Sequence, residues 1–128
     1  MSDDITHPKN QALGKQGEAI AVQYLQQCKY TVIEQNFRCK CGELDIIARE
    51  GKVTVFIEVK TRKNLSYGPP QLAVTPFKQR QISKAALFYL AQKKIQGTNA
   101  RFDVIAILLG YNEVPQIDHI INAFDLAY

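Results

Sequence analysis

Asp45 and the triplet Glu58-Val59-Lys60 are the residues whose types and spacing best suit chemistry in this chain. Both acids fall in runs rich in Ile and Val, Leu44 to Arg49 and Val53 to Thr61, and Glu50-Gly51-Lys52 between the runs is a tight hairpin signal. Side chains alternate along a strand, so Thr54, Phe56, Glu58 and Lys60 share one face. Register decides where Asp45 lies. A two-residue loop at Gly51-Lys52 puts Asp45 directly across from Glu58, one at Glu50-Gly51 makes them diagonal neighbours, and a one-residue loop would separate them.

Two ionised carboxylates about 5 Å apart at an effective dielectric of about 20 repel by roughly 3 kcal/mol. Lys60 can offset one charge, whereas a hard divalent cation offsets both and suits carboxylate oxygens. Such a cation polarises a phosphoryl oxygen and lowers the pKa of a water, while an ammonium beside it orients that water or stabilises a pentavalent transition state. The plainer reading is a strand edge on which Asp45 and Lys60 pair and Glu58 points to water. Val53-Thr54-Val55-Phe56-Ile57-Glu58-Val59 is too apolar for an open edge, which favours a purpose for the acid.

These residues need positioning elements. Leu13, Gly17, Ile20, Ala21, Tyr24, Leu25 and Cys28 recur at helical spacing, predicting a helix from Asn10 to about Lys29. Tyr30 to Phe37 reads as a strand and Cys39 to Gly42 as the turn before the hairpin strands. Asn64 to Pro70 reads as a loop. Thr75-Pro76 supplies an N-cap and first-turn proline for a second helix that runs to near Gly97, with Phe77, Ile82, Ala85, Ala86, Tyr89 and Leu90 as its apolar stripe. Arg101 to Leu109 is a strand covered on both faces, Gly110-Tyr111-Asn112 turns the chain, and a last strand lies within Gln116 to Asn122. The order α-β-β-β-α-β-β predicts an α/β sandwich on a mixed sheet whose first three strands are antiparallel.

With 128 residues, the chain has room for one domain, read as a flexible segment 1–9 and a body 10–128. The 46% hydrophobic and 22% charged shares exclude collagenous, coiled-coil and low-complexity classes. The longest wholly apolar stretch, Val104 to Leu109, is too short to cross a bilayer, and the start MSDDITHPKN has no secretion leader, so a cytoplasmic home and no membrane partner are expected. Cys28, Cys39 and Cys41 fit reduced thiols. Cys39-x-Cys41 is weak as a zinc site, having only two ligands, and His7 and His119 read as bystanders. The net charge of +4 is unevenly spread: residues 59–102 hold nine Lys and Arg and no acid. Such a stretch attracts a polyanion through its field and counterion release, or else is a solvated face.

The pattern of Asp45 followed by Glu58-Val59-Lys60 resembles the acid…E-x-K signature of the PD-(D/E)xK nuclease superfamily, with its restriction-endonuclease-like fold. More closely, the chain resembles the YraN family of predicted bacterial endonucleases, distantly similar to archaeal Holliday junction resolvases. The resemblance rests on Gly14-x-x-Gly17-Glu18, Asn36-x-Arg38, Gly42-Glu43-Leu44-Asp45, Phe56 through Arg62, Ala73-Val74-Thr75-Pro76 with Lys78, and Arg101-Phe102-Asp103-Val104. It departs from the superfamily in having Leu44 rather than proline before Asp45.

The resemblance implies that Asp45, Glu58 and the Val59 carbonyl hold Mg²⁺ or Mn²⁺ and that Lys60 is the catalytic lysine. Glu18 matches the acid on the first helix of such nucleases. It lies within about 60° of Gly14, Ala21, Val22 and Leu25 on a helical wheel, bordering the buried stripe. Arg38, Arg62, Lys63 and Lys78 are candidates for the nucleic-acid backbone. Lys78 shares a wheel sector with Ile82, Ala85 and Tyr89, so it is expected to face the cleft, while Arg80 and Lys84 face away. Glu43 and Asp103 read as structural, Asp103 pairing with Arg101 or Arg38.

The expected function is a Mg²⁺-dependent DNA endonuclease, structure-selective in repair or recombination. A homodimer or a repair or recombination partner is compatible with that role. The alternative is a nucleic-acid-binding module that keeps the scaffold and cleaves nothing. Charge favours nucleic acid, and only the resemblance favours DNA.

Overall fold

The computed structural model of the protein describes residues 8–64, 74–95, 99–110 and 114–127. The readings of 65–70 as loop, of Gly97 as a helix end, of Tyr111-Asn112 as a turn and of residues 1–7 as flexible lie outside them. Helix α1 (Pro8–Gln27) leads into β1 (Thr31–Cys39), β2 (Gly42–Glu50) and β3 (Val53–Arg62), followed by α2 (Pro76–Gln92), β4 (Ala100–Leu108) and β5 (Gln116–Phe124). The expected element order is the observed one. Helix α1 already includes Pro8 and Lys9, the last two residues of the segment 1–9 expected to be flexible.

Each helix ends on a left-handed lysine. Lys29 (φ 71°) follows α1, with Tyr30 N–H donating to Leu25 O at 2.9 Å, and Lys94 (φ 57°) follows α2, with Ile95 N–H donating to Leu90 O at 2.9 Å. These bonds satisfy carbonyls that a helix C-terminus leaves open. Lys94 thus takes the role expected of Gly97, and α2 stops at Gln92. Its start is as expected: Thr75 accepts a bond from Lys78 N–H at 3.2 Å, and Pro76 follows in the first turn.

The five strands lie in the order β1-β2-β3-β4-β5. β3 and β4 are parallel, joined through α2, and the other neighbours are antiparallel. α1 covers one face and α2 the other, dividing the core in two. Beneath α1 lie Ile46, Ala48, Val55, Ile57, Ile105 and Ile107 with Ala21 and Leu25. Beneath α2 lie Phe37, Leu44, Ile47, Phe56, Phe102 and Val104 with Ile82, Ala85, Ala86 and Tyr89. Phe102 to Ile107 are buried throughout, as expected of a strand covered on both sides. An aromatic row stiffens the α2 side: Tyr89 meets Phe37 and Phe56 edge-on at 5.2 and 6.0 Å, and Phe102 lies 5.7 Å from Phe56. No helix among the described residues is long and apolar enough to cross a membrane.

Candidate active site

The hairpin turns at Gly51 (φ 61°) and Lys52, with Glu50 pairing Val53. Of the open registers, this is the one that brings Asp45 across from Glu58. Pairing of β2 with β3 runs only as far as Ile46 and Ile57, yet β2 continues beside β1 to Gly42 and β3 beside β4 to Arg62. The sheet therefore splits just where the acids sit. Strand alternation also breaks at Asp45: Ile46 lies beneath α1, while Leu44 and Ile47 both lie beneath α2. Across the ladder, Gln35 pairs Ile46 and Phe37 pairs Leu44, bracketing Asn36, which has φ 55°. Asn is among the few residues other than glycine that tolerate this conformation.

At the split, Asp45 Oδ2 accepts the Val59 N–H at 2.9 Å, replacing a ladder bond with a side-chain bond. Glu58 is only 5% exposed. Its Oε2 receives two ammoniums, Lys60 Nζ at 3.3 Å and Lys78 Nζ at 3.7 Å. Lys60 shares the strand, and Lys78 comes from the first turn of α2. Glu18 approaches from the α1 layer. A Cβ on its neighbour Gly17 would overlap the Thr61 side chain, so glycine lets α1 sit directly on β3 and carries Glu18 to the split.

Electrostatics bind these acids into one site. Burial pushes the Asp45 carboxyl well above the usual range, and the Glu58 charge adds to this. The Val59 N–H opposes the shift, while Glu18 and a carboxyl–carboxylate hydrogen bond to Glu58 raise it further. Burial also raises Glu18, against a hydrogen bond from Asn36, with the charges of Glu43 and Glu58 adding to the rise. Among the described residues, no three His, Cys, Asp or Glu side chains converge on one point. Mg²⁺, however, is commonly held by one or two carboxylates together with waters and substrate phosphates. The hard oxygens of Asp45 and Glu58, in mutual repulsion, match that donor set.

The structure brings together Asp45, Glu58, Val59, Lys60 and Lys78, with Glu18 within electrostatic reach. The engaged atom of Val59 is its N–H rather than the carbonyl expected to meet a metal. Three other expected cations stand away from the acids. Arg38 is exposed and pairs with Glu43 at 3.6 Å. Arg62 Nη1 donates to the Thr61 carbonyl at 3.0 Å, and Lys63 is exposed. Glu43 is thus a surface partner of Arg38.

Sequence reasoning missed two features. Asn36, quoted only within the Asn36-x-Arg38 motif and given no role, hydrogen-bonds Glu18, and that motif was its legible signal. His119 is no bystander: its Nε2 lies 2.8 Å from Asp103 Oδ2 and its Nδ1 3.0 Å from the Tyr24 hydroxyl. Asp103 is fully buried and also receives Arg101 Nε at 3.0 Å and Asn122 N–H at 3.0 Å. Arg101 reaches on to Glu50 at 2.8 Å and Tyr30 at 2.7 Å, so it is unavailable to a polyanion. Hydroxyl, imidazole and carboxylate stand in the order of a nucleophilic triad. Burial and the neighbouring Cys28 push the Tyr24 phenol up to about 12.

The fold and cleft define an α/β sandwich whose split sheet gathers acids and amines. The uncharacterised protein family UPF0102 matches residues 17–107. UPF0102 proteins of Geotalea daltonii and Geobacter sulfurreducens are 66% and 59% identical over 119 residues, covering 93% of this chain and 94% and 93% of theirs. A UPF0102 protein of Rhodococcus opacus is 45% identical over 115 residues, covering 90% of this chain and 98% of its own. The chain belongs to the UPF0102 family.

Proposed function

We propose that this protein is a divalent-cation-dependent endonuclease that hydrolyses DNA phosphodiester bonds. One observation carries the reading: buried Glu58 and half-buried Asp45 lie close enough to raise the Asp45 carboxyl where β2 and β3 part, with the Lys60 ammonium 3.3 Å from Glu58. Similarity of Asp45…Glu58-Val59-Lys60 to the PD-(D/E)xK nucleases, and of the longer motif set to the YraN family, supports DNA as substrate and a structure-selective role in repair or recombination.

Asp45 and Glu58 are the residues that would hold Mg²⁺ or Mn²⁺. Bound there, the ion would polarise a phosphoryl oxygen and lower the pKa of a water. Lys60 faces the same space from a rigid strand. Its ammonium orients the attacking water and balances charge growing on the phosphoryl oxygens. Glu18, with its pKa raised, takes up a proton at a pH where an ordinary glutamate stays ionised. Arg62 at the end of β3 and Lys63 just beyond it follow Lys60, and with Arg38 they supply cations for flanking phosphates.

The test incubates branched, nicked, single-stranded and duplex DNA with Mg²⁺ or Mn²⁺. Wild type is expected to cleave, and Asp45→Ala, Glu58→Ala and Lys60→Ala to lose at least about a hundredfold while still binding DNA. Equal residual nicking by wild type and variants would assign the activity to a contaminant. Binding without turnover by wild type would leave a nucleic-acid-binding module on a nuclease scaffold.

A further inference from the structure

Lys60 and Lys78 address the same oxygen of Glu58, and they are not equivalent. Lys60 stands two residues away on the same strand, with its side chain 21% exposed. Lys78 arrives from another layer of the fold, its contact is longer, and its side chain is 37% exposed. Both ammoniums converge on one carboxylate oxygen of a cleft that also holds Asp45. A divalent cation seated on Asp45 and Glu58 would supply that positive charge itself and repel both amines. The one free to leave is Lys78, whose flexible four-carbon stem rises from the first turn of a helix at the rim of the cleft.

We propose that Lys78 is an exchangeable counter-charge: it holds Glu58 while the cleft lacks a cation, and cation binding displaces it onto a phosphate of the nucleic-acid backbone. The inference rests on the metal-dependent reading of the same cleft. It makes cation binding a step that prepares substrate binding, because an amine sequestered on Glu58 becomes available to a phosphodiester only once the metal arrives. It also gives Lys78 two opposed effects, competing with the metal and assisting the substrate, which a plain phosphate-binding lysine lacks.

The experiment titrates Mn²⁺ calorimetrically, without nucleic acid, into folded wild type, Lys78→Gln, Lys78→Arg and Asp45→Asn. DNA affinity is measured beside it with and without Ca²⁺. Lys78→Gln is expected to bind Mn²⁺ about fivefold more tightly than wild type, the upper worth of a partly exposed ion pair. Lys78→Arg should stay close to wild type. Ca²⁺ should strengthen DNA binding by wild type more than by Lys78→Gln. Mn²⁺ affinity of Lys78→Gln equal to or weaker than wild type, at a site that Asp45→Asn abolishes, would overturn the exchange and leave the metal site standing. Absence of any Asp45-dependent Mn²⁺ binding would overturn the metal-dependent reading and the exchange with it.

Discussion

Asp45 and Asp103 both lie inside the sheet, and their surroundings drive them in opposite directions. Burial works to raise each. Around Asp103 it is outweighed by hydrogen bonds from His119, Arg101 and the Asn122 N–H, together with the Arg101 charge, and the carboxyl ends below its ordinary value. Around Asp45 one N–H stands against two other carboxylates, and the carboxyl ends well above it. A satisfied acid ties β4 to β5, to α1 and, through Arg101, to the hairpin turn. At the opposite end of the hairpin, Asp45 has the single Val59 N–H to set against its neighbouring carboxylates. The difference separates an acid that its partners hold charged from one that its neighbours drive towards the neutral form.

That contrast is testable first at its stable pole. Asp103→Ala leaves Arg101 half-buried without its main partner and is expected to lose about 3–5 kcal/mol in urea denaturation. A loss below about 1 kcal/mol would mean the network is ornamental. The close seat of α1 comes next. Gly17→Ala forces a methyl into Thr61 and is expected to cost about 1–3 kcal/mol and to move Glu18 off the split. Pairing it with Thr61→Gly should recover much of that loss.

The smallest expected shift has the opposite sign. Asp45→Asn, which keeps an acceptor for Val59 N–H but removes the charge, is expected to raise stability by about 1 kcal/mol at neutral pH without added cation. The pH dependence follows from the same shifts. A raised carboxyl contributes stability below the ordinary Asp value and loses it as pH climbs through the folded value. The gain of Asp45→Asn over wild type should therefore shrink on mild acidification. Asp103 tilts the other way: its contribution is intact above the ordinary Asp value and is lost as pH falls through its lowered folded value. A gain from Asp45→Asn that grows in acid would reverse the assignment.

Much of this was legible before any coordinates. Apolar runs, the Glu50-Gly51-Lys52 turn and Thr75-Pro76 carry local signals strong enough to fix element order, and the observed register is one of those the hairpin allowed. Lys78 was legible as a cleft-facing lysine because Ile82, Ala85 and Tyr89 on its sector had to be buried, and they are. Its partner was not, since the meeting of α2 with Glu58 is a tertiary fact. His119 escaped for the same reason: Tyr24 and Asp103 come to it from two other elements. The break in alternation at Asp45 was hidden too, because it arises from the paired distortion with Asn36 across the strand. Local pattern locates the residues, and the split sheet determines which of them meet.

The most direct test of the central contrast is thermal unfolding of wild type, Asp45→Asn and His119→Ala across a Mn²⁺ titration. Wild type and His119→Ala should both gain stability with cation, by about 2.7 kcal/mol at a hundredfold excess over the dissociation constant. Asp45→Asn should start higher than wild type and stay flat. An equal cation response from wild type and Asp45→Asn would contradict the claim that the split between β2 and β3 is a cation site.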